Sequence, residues 1–220
     1  MLNDFEICQL LKNQYDGNLV ADYFGNIQDV VFAVKTIGDV VYVLHEGTHD
    51  IPDVLHDFEA NIARPFILNG GGVHAGFWEG MVAAYDKIVS FLPKDKQIVL
   101  TGHSLGAGRV NVAAAILICA YGYNPANIHR VKFASPRSND LALENQISKS
   151  PLRSYWNYGS PLSNDIVCTV PKEFLGFQYY TEEQKIKIWS PPYFPDPWGI
   201  VAWHHIELYL KALGSISSSS

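Results

Sequence analysis

One octapeptide constrains the fold of this chain more than any other stretch: Thr101-Gly102-His103-Ser104-Leu105-Gly106-Ala107-Gly108. The apolar, β-branched run Ile98-Val99-Leu100 precedes it and reads as a buried strand. Leu105 to Tyr121 follows, alanine-rich and free of proline, and reads as a helix. Strand, Gly-x-Ser-x-Gly and helix together define a nucleophile elbow. The spacing has a steric reason. A serine on so sharp a turn leaves no room for side chains two residues to either side, and Gly102 and Gly106 remove them. The turn presents the Ser104 hydroxyl, and the helix that starts behind it offers free N–H groups to a developing oxyanion.

Composition sets the scale around this turn. With 220 residues, 48% of them hydrophobic, the chain is long enough for one domain with a sizeable core. A net charge of −6 and the lack of a basic stripe argue against nucleic acid as a partner. Three widely spaced cysteines, Cys8, Cys119 and Cys168, do not make a disulfide framework. The start MLNDFEICQLLKNQYDG lacks a basic and then apolar leader pattern, and the longest apolar run, Val112 to Tyr121, is half of a membrane span. The default expectation from these absences is a cytoplasmic protein. The domain is expected over residues 1–213, with 214–220 as a flexible serine-rich tail.

In chain order, Asp4 to Asn13 predicts a first helix. Val30–Val34 and Val40–Leu44 predict a hairpin turning at Gly38-Asp39. Asp50 and Pro52 signal a helix start, and Ile51, Val54, Leu55, Phe58 and Ile62 follow at helical spacing. That stripe is read either as a helix packed on the core or as a lid. A helix is expected from Val73-His74-Ala75-Gly76-Phe77 to about Phe91. His129–Ala134 and Tyr155–Tyr158 predict strands, Leu141–Ser148 a helix, and Lys185–Trp189 a further strand. Ser190–Trp203 reads as a loop whose Phe194, Trp198 and Trp203 either wall an acyl pocket or anchor the loop. Ile206, Tyr209, Leu210 and Leu213 mark a last helix. The alternation of strands and helices from residue 98 to 160 implies an α/β fold with a mostly parallel sheet covered on both faces.

A serine hydroxyl needs a base, and the base needs an orienting carboxylate. In the order natural to an elbow on an α/β sheet, acid and then base follow the serine. Asp165, after the strand Tyr155–Tyr158, fits the acid. Asp140 is the competitor but stands directly before a helix, as an N-cap would. Only His204 and His205 come after Asp165. One oxyanion donor is the backbone N–H of Leu105, and Gly47-Thr48, after Val40–Leu44, is the place for the other. His103, inside the elbow, is expected to point away from the serine. His45-Glu46-Gly47-Thr48-His49 formally matches the zinc-protease motif, but that motif needs a helix, and here it follows a strand and contains a glycine.

These residues resemble the class 3, fungal-type lipases of the α/β-hydrolase superfamily. The resemblance spans roughly residues 30 to 213. It rests on Gly47-Thr48, Val73-His74-Ala75-Gly76-Phe77, Gly102-His103-Ser104-Leu105-Gly106, Ala134-Ser135-Pro136-Arg137, Asn164-Asp165-Ile166-Val167 and a closing His-x-Ile-x-x-Tyr, in that order. It implies Ser104 as nucleophile, Asp165 as acid, a terminal histidine as base, and Thr48 and Leu105 at the oxyanion hole. It also implies hydrolysis of carboxylic esters, commonly acylglycerols, with phospholipase A1 and feruloyl-type esterase as the neighbouring activities. A catalytically silent binding domain on the same fold is the alternative from another class. The substrate would be a small-molecule ester or lipid, with transient contact to a lipid interface, and no metal or organic cofactor is required. His204, Ile206 and Tyr209 match the closing pattern and select His204, although helical periodicity run backwards from Ile206 brings His205 nearer the buried face. Two features depart from the family pattern. Glu46 stands where arginine is common, and Gly106-Ala107-Gly108 replaces the usual Gly-Gly-Ala.

Overall fold

The computed structural model describes residues 1–47, 61–160, 163–171, 176–177, 185–188 and 204–217. Its centre is a sheet in the order β1 (Tyr23–Ile27), β2 (Val30–Ile37), β3 (Val40–His45), β6 (Gln97–His103), β7 (Ile128–Phe133), β8 (Leu152–Ser160) and β10 (Lys185–Ile188), with β9 (Ser163–Asn164) paired to β8. β1 pairs with β2 and β2 with β3 antiparallel, whereas β3, β6, β7, β8 and β10 run parallel. A separate two-stranded sheet joins β4 (Ile62–Ala63) to β5 (Val73–His74).

Alternation along the strands creates two cores. On β3, Val41 and Val43 enter one core, and Val40, Tyr42 and Leu44 the other; on β6, Ile98 and Leu100 oppose Val99 in the same way. The first core receives Met81, Ala84, Tyr85 and Ile88 of helix α3 (Met81–Ile88) and the inner face of α4 (Leu105–Ala115). The second receives Ile7, Cys8 and Leu11 of α1 (Asp4–Tyr15) and Tyr209, Ala212 and Leu213 of α6 (Ile206–Ser217). Helix α4 is made almost wholly of small residues, which lets it lie close against β6 and β7 with nine of its eleven residues buried. Asn3 starts α1 with a reciprocal cap: its side chain accepts from the Glu6 N–H at 2.9 Å, and the Glu6 carboxylate accepts from the Asn3 N–H at 2.8 Å.

Several expectations need correction. The strand β1 was not foreseen, because Tyr23-Phe24-Gly25-Asn26-Ile27 is short and exposed at alternate positions on the sheet edge. The helix expected from residue 75 to 91 is broken. A short α2 (Ala75–Trp78) ends before Gly80, which takes φ 73° and packs against Gln28, so that a Cβ there would lie 2.5 Å from the Gln28 carbonyl oxygen. Ile62 belongs to β4 rather than to a helix, so the stripe from Ile51 does not continue through it. The rest of that stripe, with the lid reading it carried, lies outside the described residues, as do His49, His56, Phe194, Trp198 and Trp203. Residues 214–217 are not a free tail: they continue α6, where Gly214 lies close against Phe5 of α1. No helix among the described residues is long and apolar enough to cross a membrane.

Candidate active site

The elbow forms where β6 meets α4. Ser104 caps the helix at φ 59° and ψ −131°, a region a non-glycine residue enters only when its surroundings force it. The forcing groups are visible. The Ser104 N–H donates to the Phe133 carbonyl at 3.1 Å, and the Ser104 carbonyl accepts from the Gly108 N–H at 3.2 Å. A Cβ on Gly102 would stand 2.4 Å from the Gly106 carbonyl carbon, and one on Gly106 would stand 2.1 Å from the His45 carbonyl oxygen. The two glycines therefore let strand, turn and helix interpenetrate. Gly108, a departure from the family pattern, faces the ring of Phe77, whose Cζ a Cβ would meet at 2.6 Å.

Asp165 and His204 meet on the other side of the serine's strand. Asp165 lies just after β9, fully buried, with its side chain accepting from the Val167 N–H at 3.0 Å. His204 precedes α6 and is also fully buried, and its Nδ1 donates to the Asp165 carboxylate with both oxygens at 2.8 Å. Tyr209, one turn into α6, donates to Asp165 Oδ2 at 2.6 Å and accepts from the Asn157 N–H at 3.1 Å. Burial, reinforced by the charge of Asp165, pushes the Tyr209 hydroxyl well above its ordinary pKa, so it stays a donor. His205 is half-buried and does not share this contact; its carbonyl accepts from the Leu208 N–H at 3.0 Å. Asp140 is the helix cap its sequence position suggests, accepting from the N–H groups of Leu143 at 2.9 Å and Gly72 at 3.0 Å.

Ser104 Oγ and His204 Nε2 are buried, and neither has a hydrogen-bond partner among the described residues. An unpaired buried polar atom is costly, and these two lie beside each other's elements at the elbow, where the His103 ring packs on that of His204. Leu105 opens α4 directly behind Ser104, with its N–H in the first turn of the helix. Gly47 sits against the nucleophile: a Cβ on it would lie 3.1 Å from Ser104 Cβ. Thr48, expected as the second oxyanion donor, lies outside the described residues. Glu46, where the family pattern often has arginine, accepts from Gln14 Nε2 at 3.3 Å and so ties this loop to α1.

Two residues near the site were not assigned a part by sequence reasoning. His103 packs its ring on that of His204, with centroids 4.7 Å apart, and its Nε2 lies 2.7 Å from the His204 carbonyl oxygen. Tyr15, from the far end of α1, reaches Gly47 and His103. Nothing local in the sequence around Tyr15 signals this, because the contact spans more than thirty residues to the one and nearly ninety to the other. The zinc reading of His45 loses its geometric premise. His45 ends a β-strand, not a helix, and its ring nitrogens lie 3.0 Å from the Tyr85 hydroxyl and 3.3 Å from the Thr101 carbonyl oxygen. Burial first, then Arg109, lowers its pKa to about 3.

The geometry defines a class before any relative is consulted: an α/β domain with a strained serine between strand and helix, and a buried carboxylate–histidine pair on the C-terminal side of a parallel sheet. Solved structures share that architecture. The Rhizomucor miehei triacylglyceride lipase superposes with a TM-score of 0.67 over 84% of this chain and 77% of that one, at 20% identity. The MDLA N225Q mutant from Penicillium cyclopium gives the same TM-score over 86% and 78%, also at 20% identity. The fold is that of the fungal lipases, an α/β-hydrolase. The family described as Lipase (class 3) matches residues 42–175, more than half of the chain, and the chain belongs to that family. Gly47, Ser104 and Asp165 lie inside the matched residues, whereas Tyr15 and His204 lie outside them. Among curated relatives, phospholipase A1-II 1 of Oryza sativa subsp. indica is 29% identical over 129 residues, covering 58% of this chain and 31% of its own length. The secreted mono- and diacylglycerol lipase A of Penicillium cyclopium is 26% identical over 157 residues, covering 69% and 49%. The chain thus spans a third to a half of the length of the curated relatives it matches.

Proposed function

We propose that this protein hydrolyses carboxylic esters of lipids, acylglycerols first, through an acyl-enzyme on Ser104. The observation that carries the reading is the pair of buried, unpartnered atoms, Ser104 Oγ and His204 Nε2, with His204 Nδ1 fixed on Asp165. His204 Nε2 takes the proton from Ser104 Oγ as that oxygen attacks the ester carbonyl carbon. The same proton passes to the departing alkoxide as the C–O bond breaks. Asp165 holds the Nδ1–H tautomer and stabilises the imidazolium, and Tyr209 and the Val167 N–H hold Asp165. The N–H of Leu105 and a donor at Thr48 stabilise the oxyanion. Water then attacks the acyl-enzyme with His204 again as base, releasing the acid and restoring Ser104. Membership of the class 3 family supports lipid esters as the substrate class. A second reading, cleavage of phospholipid esters, is favoured by the match to a plant phospholipase A1. The protein is read as one domain that meets its substrate at a lipid surface, with nucleic acid playing no part.

The deciding experiment combines a substrate panel with a mechanism test. Nitrophenyl esters of rising chain length, triglyceride emulsions and phospholipid vesicles rank the substrates. Ser104→Ala should cost on the order of a millionfold in turnover. An organophosphate should abolish activity, and a chelator should leave it intact. A folded Ser104→Ala variant with a tenth of the wild-type rate, or activity lost to a chelator and restored by zinc, would sink the serine mechanism.

A further inference from the structure

We propose that Tyr15 and His103 form a fixed hydrogen-bond relay that positions two parts of the Ser104 site at once: the backbone at His204 and the backbone at Gly47, one residue before Thr48. The inference rests on the reading of Ser104 and His204 given above. Both are positioning residues, since each acts through the backbone of another.

The relay is built from four points distant in the chain. His103 Nε2 lies 2.7 Å from the His204 carbonyl oxygen. His103 Nδ1 lies 3.5 Å from the Tyr15 hydroxyl. That hydroxyl accepts from the Gly47 N–H at 2.9 Å. The phenol meets the imidazole edge-on, with ring planes at 84°. Donor and acceptor roles within the relay follow from its two ends. The His204 carbonyl can only accept, so Nε2 carries the proton. The Gly47 N–H can only donate, so the Tyr15 oxygen accepts, and its own proton turns to the remaining lone pair on Nδ1. One tautomer satisfies every group, and any other leaves a buried polar atom opposed.

The surroundings hold both groups in the required state. Burial pushes the Tyr15 phenol well up, with Glu46 adding to the effect, so it stays protonated. Burial, with His204 second and His205 weaker, holds the His103 imidazole well below its ordinary pKa, so it stays neutral. Among the described residues, the groups facing His103 are Tyr15 on α1, His204 and His205 before α6, and Tyr209 on α6. Space is equally fixed at the far end. A Cβ on Gly47 would fall 2.6 Å from the Tyr15 hydroxyl oxygen and 2.7 Å from the His103 carbonyl oxygen. The Gly47 N–H is taken by Tyr15, which leaves the residue after it as the proposed oxyanion donor. An oxyanion hole acts through donors placed to within tenths of an ångström, so a tether on the preceding peptide acts on rate more than on substrate binding.

The test uses the full chain, a soluble nitrophenyl ester, and Ser104→Ala in parallel. Tyr15→Phe should lower kcat by about ten- to a hundredfold, with KM changed by less than about threefold. His103→Gln keeps an N–H for the His204 carbonyl and should retain more activity than His103→Leu. Tyr15→Phe combined with His103→Leu should cost little more than His103→Leu alone, because both break one chain of bonds. Imidazole nitrogen shifts by NMR give a readout independent of turnover: His103 should carry its proton on Nε2 and show no titration between about pH 5 and 9. A folded Tyr15→Phe variant with kcat within about twofold of wild type overturns the proposal. So does a His103 that titrates in that range or is protonated on Nδ1. If His103→Leu fails to fold, Tyr15→Phe and the nitrogen spectrum still decide. Failure of the serine mechanism shows separately, as activity surviving in Ser104→Ala, and the spectrum then judges the relay by itself.

Discussion

The two halves of the site are held by different means. Ser104 is fixed by backbone: a positive φ, two main-chain hydrogen bonds, and glycines at 102 and 106 that let β3, β6 and α4 approach to within a carbon's width. Asp165 and His204 are fixed by side chains: Tyr209 on the carboxylate, the carboxylate on the imidazole, and His103 on the His204 carbonyl. The contrast matches the demands of the role proposed for each. A nucleophile must stand still at one point, and steric exclusion does that without polar groups that would compete for its hydroxyl. A base must exchange protons while keeping its tautomer, and only hydrogen bonds specify a tautomer.

If that division is right, substitutions on the two sides should fail differently. After Ser104→Ala, the largest effect is on the hydrogen-bonded side. His204→Ala should lose three or more orders of magnitude in kcat, of the order seen when a triad base is removed, with the fold kept. His205→Ala should lose far less. Matching thermal melts are required for the comparison, and a dead His205→Ala beside an active His204→Ala would reverse the assignment. On the backbone side, Gly106→Ala should act on stability first. A methyl group 2.1 Å from the His45 carbonyl oxygen must push β3 from α4, at a cost on the order of 3 kcal/mol, read as a lowered urea midpoint. An unchanged midpoint would show that the elbow is not sterically determined.

Acid should loosen the structure through the buried histidines around the elbow. The pKa of His45 is lowered to about 3, and that of His103 lies well below its ordinary value, in both cases chiefly by burial. The unfolded chain takes up a proton on each from about pH 6.5 downward, whereas the native state does not. Stability therefore falls as pH drops below about 6.5, by up to ~1.4 kcal/mol per pH unit for each such group, and for His45 down to about 3. Urea unfolding at pH 7 and pH 5 measures the slope, and His45→Gln should flatten it. A slope unchanged by that substitution would mean His45 is charged in the native state. The smallest effect belongs to Asp140, and it separates the two candidate carboxylates. Asp140→Ala should cost about 1 to 2 kcal/mol of stability, as loss of a helix N-cap does, and leave kcat within about twofold. Asp165→Ala should instead cost activity by orders of magnitude. Similar losses at both positions would undo the distinction.

The helix break at Gly80 and the strand membership of Ile62 show how far local patterns carry. Residues 75 to 91 have helical spacing throughout, but the break falls at Gly80, which packs against the Gln28 carbonyl in the turn between β1 and β2. Ile62 fits a helical stripe and a strand equally, and its pairing with His74 decides between them. Tyr15 shows the same limit at the site: a tyrosine at the end of an amphipathic helix has no signature of function, and its role depends on what α1 is packed against.

By itself the sequence determined the elbow, the parallel sheet that carries it, and the chain order in which Ser104, Asp165 and His204 stand. Those depend on short-range sterics and periodicity: glycines two residues either side of Ser104, β-branched runs, and a small-residue helix. Only the tertiary structure distinguished His204 from His205, setting His204 on the Asp165 carboxylate, because neighbouring residues before a helix differ in direction and not in chemistry. It alone placed Tyr209 on Asp165 and joined Tyr15 to His103, since those contacts bridge 44 and 88 positions. A hydrogen bond across that distance exists only once the two cores have brought α1, β6 and α6 together, and no local preference encodes it.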